Sequence, residues 1–544
     1  MGLLSKVEDR PTPPEVYNWR CYSGAAVASF AAVMIGYDSA FIGTSLSMQS
    51  FKDEFGLDLL SGSAFNATTS NITSCYIASA FFGAVFGFLG GFYLGRKITL
   101  QIAASFAVLG AALNVGASSA TGLDLIYAGR VFIGLAVGMS TNMTPLYVAE
   151  IAPPAIRGRL IGFYELCWQL GGLVGFWINF GIKEHIPYSK KQWLIPFAVQ
   201  LIPAGMFFIG LWFIRESPRW LITKGKVEKA TKNLSFLRKL PEDHHYIQEE
   251  ISAVQDQYEH EIAIVGTGFF APMREFWRNK VLLKRLAITT SLFIFQNGTG
   301  VNAINYYSPT IFSSLGLKGQ STSLFTTGLF GVVKTSFMFV WLLLLIDHFG
   351  RRALLITGST FGPVAHFIIG GYICVARPAQ SGASSPPPMG IFAIFCFYLY
   401  TVAYTISWAG VPWVVGSESY PTAVRNFSQM STACSNWFWT FWITKYTPQM
   451  FATMGHSDGD GYGVFLFFGL MMFLGGVFTF FFVPETKNIP LEAMDTLWAG
   501  GHSPRKANRD VMAMLRAQSG LNNDGTHTGP MDLEKPDSEY IEKV

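Results

Sequence analysis

Residues 95–115 read GRKITLQIAASFAVLGAALNV, and residues 350–376 read GRRALLITGSTFGPVAHFIIGGYICVA. Each stretch opens on glycine and two basic residues, then runs on without a single Asp, Glu, Lys or Arg. A helix needs roughly 20 apolar residues to cross the hydrocarbon core of a bilayer, and each stretch supplies that length. The basic pair at its head marks the side that stays in the cytosol. The two copies lie 255 residues apart, and this repetition points to a membrane protein built twice over.

The composition outside these stretches agrees. Half of the 544 residues are hydrophobic and 14% are charged, against about a quarter charged in ordinary soluble chains. Mean hydropathy is +0.32 and there are 48 phenylalanines. Apolar blocks of spanning length begin near Cys21, Asn71, Ile98, Leu123, Leu160, Trp193, Arg285, Ser323, Ala353, Ile391, Phe427 and Gly461. They predict an all-α membrane protein of twelve transmembrane helices in two parallel six-helix halves. The expected plan is a cytosolic N-terminal segment over 1–20, a six-helix bundle over 21–214 and a cytosolic loop with amphipathic helices over 215–284. A second six-helix bundle over 285–483 and a largely disordered cytosolic tail over 484–544 complete it.

If the spans alternate, Lys6, Arg10, Arg20, Arg96, Lys97, Arg157, Arg159, the central loop, Arg351, Arg352 and Arg425 share one side. The positive-inside rule makes that side the cytosol and places both termini there. The sequons at Asn66 and Asn71 fall on the opposite side, close to the membrane. The N-terminal segment is polar and carries no cleavable signal, so the first apolar block is expected to act as an anchor. The net charge of +4 rests on short loops and gives no reason to expect nucleic acid. The six cysteines (Cys21, Cys75, Cys167, Cys374, Cys396 and Cys434) have no metal spacing, so neither a metal site nor disulfides are expected. No nucleophile–base pair or phosphate loop appears, so the reading is not an enzyme and needs no cofactor.

The repeat extends to the charged helix ends. Glu150 and Arg157 are matched by Glu418 and Arg425 at an offset of 268 residues, and Glu216 is matched by Glu485 at 269. Parallel halves of this kind belong to carriers that rock around a site near the bilayer midplane.

Several strings carry a resemblance: Pro145-Leu146-Tyr147-Val148-Ala149-Glu150-Ile151-Ala152-Pro153 with Arg157-Gly158, Glu216-Ser217-Pro218-Arg219, Asn302 to Tyr307, Pro484-Glu485-Thr486-Lys487, and Arg130 to Gly134. On these the chain resembles the sugar porter branch of the major facilitator superfamily over nearly its whole length. Glu8 to Pro13, Tyr17 to Arg20, Ile35 to Gly43 and Gln192 to Pro203 resemble the fungal quinate permeases and related galacturonate transporters within it. The resemblance implies a multi-pass transporter in the plasma membrane, working as a monomer on a small-molecule substrate and a proton. It assigns cytosolic gating to Arg96, Glu150, Arg157, Glu216, Asp347, Arg351, Glu418, Arg425 and Glu485. Pairs among them would form as the cytosolic side closes and part as it opens, which biases the inward–outward equilibrium; fixing topology is their alternative role. Phe92 stands where the family has an acid, while Asp347 keeps it in the second half, so a weaker first-half gate is expected.

Charges at membrane depth cost at least ~2.5 kcal/mol on insertion scales and therefore point to function. Asp38, flanked by Gly36 and Gly43, occupies the position where proton symporters of this branch carry their coupling proton, with Arg130 as its partner. A static salt bridge is the alternative. Glu165 replaces the family's glutamine, with Gln169 one turn along; it reads as a hydroxyl acceptor or a second protonatable group, or as a helix-to-helix tie away from the cavity. Lys334 replaces an asparagine and would suit a substrate carboxylate, or else neutralise Glu165 or Asp38. Gln296, Asn297 and Asn302 lie around a glycine break that could open backbone groups to a ligand. Asn297 departs from a second glutamine. Tyr306, Trp413 and Asn436 carry over as ring-stacking and hydroxyl-binding positions, which suits a polyhydroxylated ring. Gly410 and Pro412 read as a hinge or a plain kink.

These residues predict proton-coupled uptake of a hydroxylated cyclic acid, quinate or galacturonate. The alternatives are a neutral hexose or pentose carrier, proton-coupled or facilitative, and a transporter-like nutrient sensor, against which the short tail argues.

Overall fold

A computed structural model describes residues 12–266, 268–317, 319–378, 387–456, 460–487, 489, 494–499 and 504–518. Among them the only regular structure is helical. Among the described residues nine helices are long and apolar enough to cross a membrane, including Trp19–Leu46, Gly62–Tyr93, Arg96–Val115, Asp124–Ile151, Arg351–Ala376 and Tyr462–Phe482. Three further columns have comparable length: Pro154–His185, Lys280–Gly298 continued by Val301–Ser314, and Thr422–Thr453. These contain more polar residues because Glu165 on one and Gln429 and Thr432 on another line an internal cavity. A search for uniformly apolar windows passes over helices whose inner face is wet.

The halves pack in matching ways. In the first, Trp19–Leu46 packs on Pro154–His185 and Arg96–Val115 on Asp124–Ile151; in the second, Lys280–Gly298 packs on Thr422–Thr453 and Arg351–Ala376 on Pro388–Tyr404. Between halves, Thr422–Thr453 lies on Gly62–Tyr93, and Gln320–Val340 on Pro154–His185. Small residues let these backbones touch, as membrane helices require when water supplies no hydrophobic drive. A Cβ on Gly36 would stand 2.8 Å from the Trp168 carbonyl carbon, and one on Gly43 would stand 2.6 Å from that of Tyr306.

The segment joining the halves folds into Pro218–Thr223, Val227–Arg238, His245–Val265 and Ala271–Arg278. Its core is Trp220, Leu221, Ala230, Leu234, Ile247 and Ile251, tied down by the Arg238–Glu250 ion pair at 2.6 Å. The tail departs from the expected disorder where it is described. Met494–Ala499 and Pro504–Gln518 are helices whose Met494, Leu497, Trp498, Ala507 and Val511 bury against the second half. Five apolar anchors at helical spacing outweigh a polar average. The Gly/Asn/Asp-rich run after 518 lies outside the described residues.

Candidate functional site

The repeated charged motifs are helix caps before they are anything else. Gly95 (φ +100°) and Gly350 (φ +80°) turn the chain in the left-handed region, where glycine is favoured. The helices that follow therefore begin with unsatisfied N–H groups. Glu216 accepts from the Arg96 and Lys97 N–H groups at 3.0 and 3.1 Å; Glu485 accepts from those of Arg351 and Arg352 at 2.8 and 3.1 Å. A carboxylate at a helix N-terminus also meets the positive end of the dipole. Burial nonetheless pushes the Glu216 carboxyl above its ordinary range.

The side chains of the same arginines turn to the other acids. Arg96 pairs with Glu150 at 2.7 Å and Arg351 with Glu418 at 2.8 Å, each within one half. Arg425 donates to the Tyr420 carbonyl at 3.1 Å. Arg157 makes no hydrogen bond or ion pair among the described residues, and its buried Nε is unsatisfied. The Asp347 side chain lies outside the described residues. At Phe92, cation–π contact replaces the missing acid: the Lys224 ammonium stands 4.6 Å from the ring centroid.

Between the halves is a cavity of about 850 Å³. It runs from Glu165, Trp168, Gly410 and Trp413 to the ends that carry Arg96, Glu150, Arg157, Arg351, Glu418 and Arg425. The two Arg–Glu pairs are thus closed while this end of the cavity is lined by both halves and reaches them. Each of these two pairs joins neighbours inside one half, so separating the halves does not stretch it, whereas Arg157 and Arg425, one from each half, form no ion pair among the described residues.

The predicted amides gather at one level. Asn302 Nδ2 donates to Asn297 Oδ1 at 2.6 Å, Thr440 Oγ1 donates to the same oxygen at 2.7 Å, and Asn297 Nδ2 donates to Asn436 Oδ1 at 3.3 Å. Gln296 stands apart from this cluster. Its Nε2 donates to the carbonyls of Trp408 and Ala409 at 2.7 and 3.0 Å, while its Oε1 is buried and unsatisfied. Those carbonyls are available because a π-helical turn, Thr405–Ala409, precedes Pro412, which has no N–H for the Trp408 carbonyl. The Gly410–Pro412 feature is therefore a braced kink. The other break, at Gly300 (φ +87°), frees the Thr299 carbonyl, but Tyr400 and His366 take it at 2.9 and 3.1 Å. The break was expected to open backbone groups to a ligand; protein groups hold this one. Trp413 borders the cavity with its ring 4.8 Å from Phe293, whereas Tyr306 is buried against Gly43.

Asp38 and Arg130 are 1% and 0% exposed. Arg130 Nη1 reaches both carboxylate oxygens at 2.8 Å, Gln200 donates to one of them, and the guanidinium lies 4.3 Å from the Tyr76 ring centroid. Arg130 Nε and Nη2 are unsatisfied, and the pair lies away from the large cavity. Gln200 was not singled out from sequence, although a glutamine inside the apolar run of Leu194 to Phe213 was the available signal.

Glu165 accepts from Gln169 at 3.3 Å on its own helix and faces the cavity. Lys334 shares a helix face with the buried Phe330, Gly331 and Met338, opposite the exposed Val332, Ser336 and Phe339, so it points inward. Among the described residues its ammonium has no ion pair; it lies within electrostatic reach of Glu165 and 5.8 Å from the Phe330 ring centroid. At the far end of the molecule Tyr307 bridges Thr73 Oγ1 at 3.0 Å and the Thr444 carbonyl at 3.1 Å. Tyr307 fell within a quoted motif, but motif membership did not reveal this bridge.

Residues 24–498 match the family model described as "Sugar (and other) transporter". The chain belongs to that family. Two relatives are named probable quinate permease. The one from Aspergillus niger is 55% identical over 92% of this chain and 91% of its own length; that from Aspergillus terreus is 52% identical over 100% and 98%. Among solved structures, the proton:xylose symporter XylE bound to 6-bromo-6-deoxy-D-glucose superposes with a TM-score of 0.70 at 26% identity. It covers 88% of this chain and 99% of its own. This sugar porter therefore has the major facilitator fold and is a multi-pass membrane transporter, not an enzyme. The expected family and its quinate-permease relatives are both borne out.

Proposed function

We propose that this transporter couples the uptake of a small polyhydroxylated cyclic acid, quinate or galacturonate, to a proton by alternating access. It does so through twelve spans in two halves, with both termini cytosolic and the plasma membrane as its site. Residues 21–214 and 285–483 are the two moving bundles. The observation that carries the cargo assignment is Lys334: an inward-pointing ammonium without an ion pair, near a cavity lined by Glu165. Glu165 is within electrostatic reach of this cation but makes no ion pair with it among the described residues, which leaves its hydrogen bonds for the carboxylate of a ligand. The amide cluster of Asn297, Asn302 and Asn436, with Gln169 and Trp413, offers hydroxyl partners and a ring face. The quinate-permease relatives support the same cargo.

Asp38 is the proton carrier in this reading. Protonating it removes the charge that holds Arg130, so the pair has two arrangements that a proton selects between. The xylose symporter of the same fold supports coupling. The neutral amide cluster favours a second reading, transport of an uncharged monosaccharide. Uptake of labelled quinate, galacturonate and glucose in a host without its own carriers separates them, at about pH 5 and about pH 7.5, with and without a protonophore. Acid uptake that rises at low pH and collapses with the protonophore is expected. Glucose-only uptake overturns the cargo, and indifference to pH and protonophore overturns the coupling.

A further inference from the structure

Among the described residues, three guanidiniums at the motif-bearing mouth of the large cavity form no ion pair. Arg157 comes from the first half, Arg425 from the second and Arg219 from the segment joining them, and all three line the same cavity. Each lies within electrostatic reach of the other two. Like charges drawn together in a partly dry cleft repel, so the arrangement calls for something negative among them. Glu250 lies within electrostatic reach of Arg157, and Glu261 and Glu418 of Arg425, but none forms an ion pair with the three arginines among the described residues, and Glu250 is held by Arg238. Glu150 is taken by Arg96, and Glu418 by Arg351 and by Thr486 at 2.8 Å. Glu261 borders the cavity but forms no ion pair with any of the three, and Glu165 is bonded to Gln169. The polar bonds that do exist leave most donors over: Arg219 Nη2 gives one to Gln257 at 2.7 Å, Arg425 gives one to the Tyr420 carbonyl, and Arg157 gives none. Nε of Arg157 and of Arg425 is buried and unsatisfied.

We propose that Arg157, Arg219 and Arg425 form a binding site for a small oxyanion, a carboxylate or phosphate group, at the cytosolic mouth of the cavity. Guanidinium forks match the oxygens of either group, and a ligand reached from three directions can satisfy several at once. Because Arg157 and Arg425 belong to opposite halves, the site exists only at the present spacing of the halves, and its occupancy favours that spacing. The site does not depend on the cargo being an acid. If it is one, the same arginines draw its carboxylate out of the cavity.

Equilibrium binding of radiolabelled inorganic phosphate to the full chain, held in nanodiscs of zwitterionic lipid at fixed ionic strength, tests this. One saturable site is expected. Its affinity should fall about ten-fold or more in the R157Q/R425Q double variant and several-fold in R219Q. It should hold in R215Q, since Arg215 is an exposed cation packed on Phe236 outside the cavity. Displacement of phosphate by excess quinate identifies the cargo's carboxylate as a ligand; displacement by a tricarboxylate alone identifies a separate cytosolic anion. Absence of saturable binding to the wild type overturns the proposal, as does undiminished affinity in the double variant. Should the double variant not fold, undiminished affinity in R219Q, on a short helix of the linking segment, is decisive. Phosphate binding with no acid uptake would leave this site standing while overturning the proposed cargo.

Discussion

Two charged centres sit at membrane depth, and they are built on opposite terms. Asp38 is closed in: Arg130 reaches both of its oxygens, Gln200 reaches one, and neither member of the pair is more than 1% exposed. Glu165 and Lys334 lie within electrostatic reach of each other but form no ion pair among the described residues; Glu165 is bonded to Gln169 and faces the cavity. Breaking a buried pair by removing one partner costs about 3–5 kcal/mol, so the first centre changes state as a unit. In the proposed function the second is completed by the cargo. A proton suits a closed centre because it is small enough to reach it; a solute can reach only the open one.

Asp38→Asn attacks the closed centre and should have the largest effect. Accumulation of substrate against a gradient at low pH should fall about 100-fold or more, the equivalent of losing ~3 kcal/mol of pairing. Exchange of labelled for unlabelled substrate should persist. Equal loss of both activities would mean that the pair merely holds the fold. Lys334→Asn attacks the open centre. The KM for an acid substrate should rise about 10- to 100-fold, the ~1.5–3 kcal/mol of a charged hydrogen bond, with glucose handling unchanged. An unchanged KM would rule out direct contact with the carboxylate.

Gln296→Ala sharpens the contrast by removing a neutral brace. The carbonyls of Trp408 and Ala409 lose their partner, and the protein should lose about 1–3 kcal/mol in detergent-solubilised thermal unfolding. The cargo preference should not move. Smallest is Glu216→Gln at the helix cap, with an expected loss of about 0.5–1 kcal/mol. Glu485→Gln should match it. Unequal losses would show that the caps are not equivalent.

Much of the architecture is legible in the residues because bilayer physics leaves few choices. Length, hydropathy and the spacing of Gly95 and Gly350, Glu150 and Glu418, and Glu216 and Glu485 point to two repeated halves. Every block predicted from them falls on a helix. The list of polar candidates at depth is readable for the same reason: each costs too much to be incidental. Their partners are not readable. That Gln296 braces a π-helical turn, while Asn297 beside it joins Asn302 and Thr440, depends on side-chain directions one helical step apart. Gln200 and Tyr307 gain their roles from helices 162 and 234 residues away in sequence, and local pattern carries no trace of that. The tail helices went unread because a polar average conceals five apolar anchors.

The Tyr307 bridge has a consequence for timing. Its hydroxyl is anchored to its own half through the Thr444 carbonyl and crosses to the other half through one bond to Thr73. A single neutral hydrogen bond is worth about 0.5–1.5 kcal/mol net, or roughly one to three times RT. A latch of that strength is undone by ordinary thermal agitation many times over during one slow domain swing, which takes microseconds to milliseconds. At this end of the molecule the bridge works as a shutter that flickers. The pace of transport is then set by the swing of the bundles.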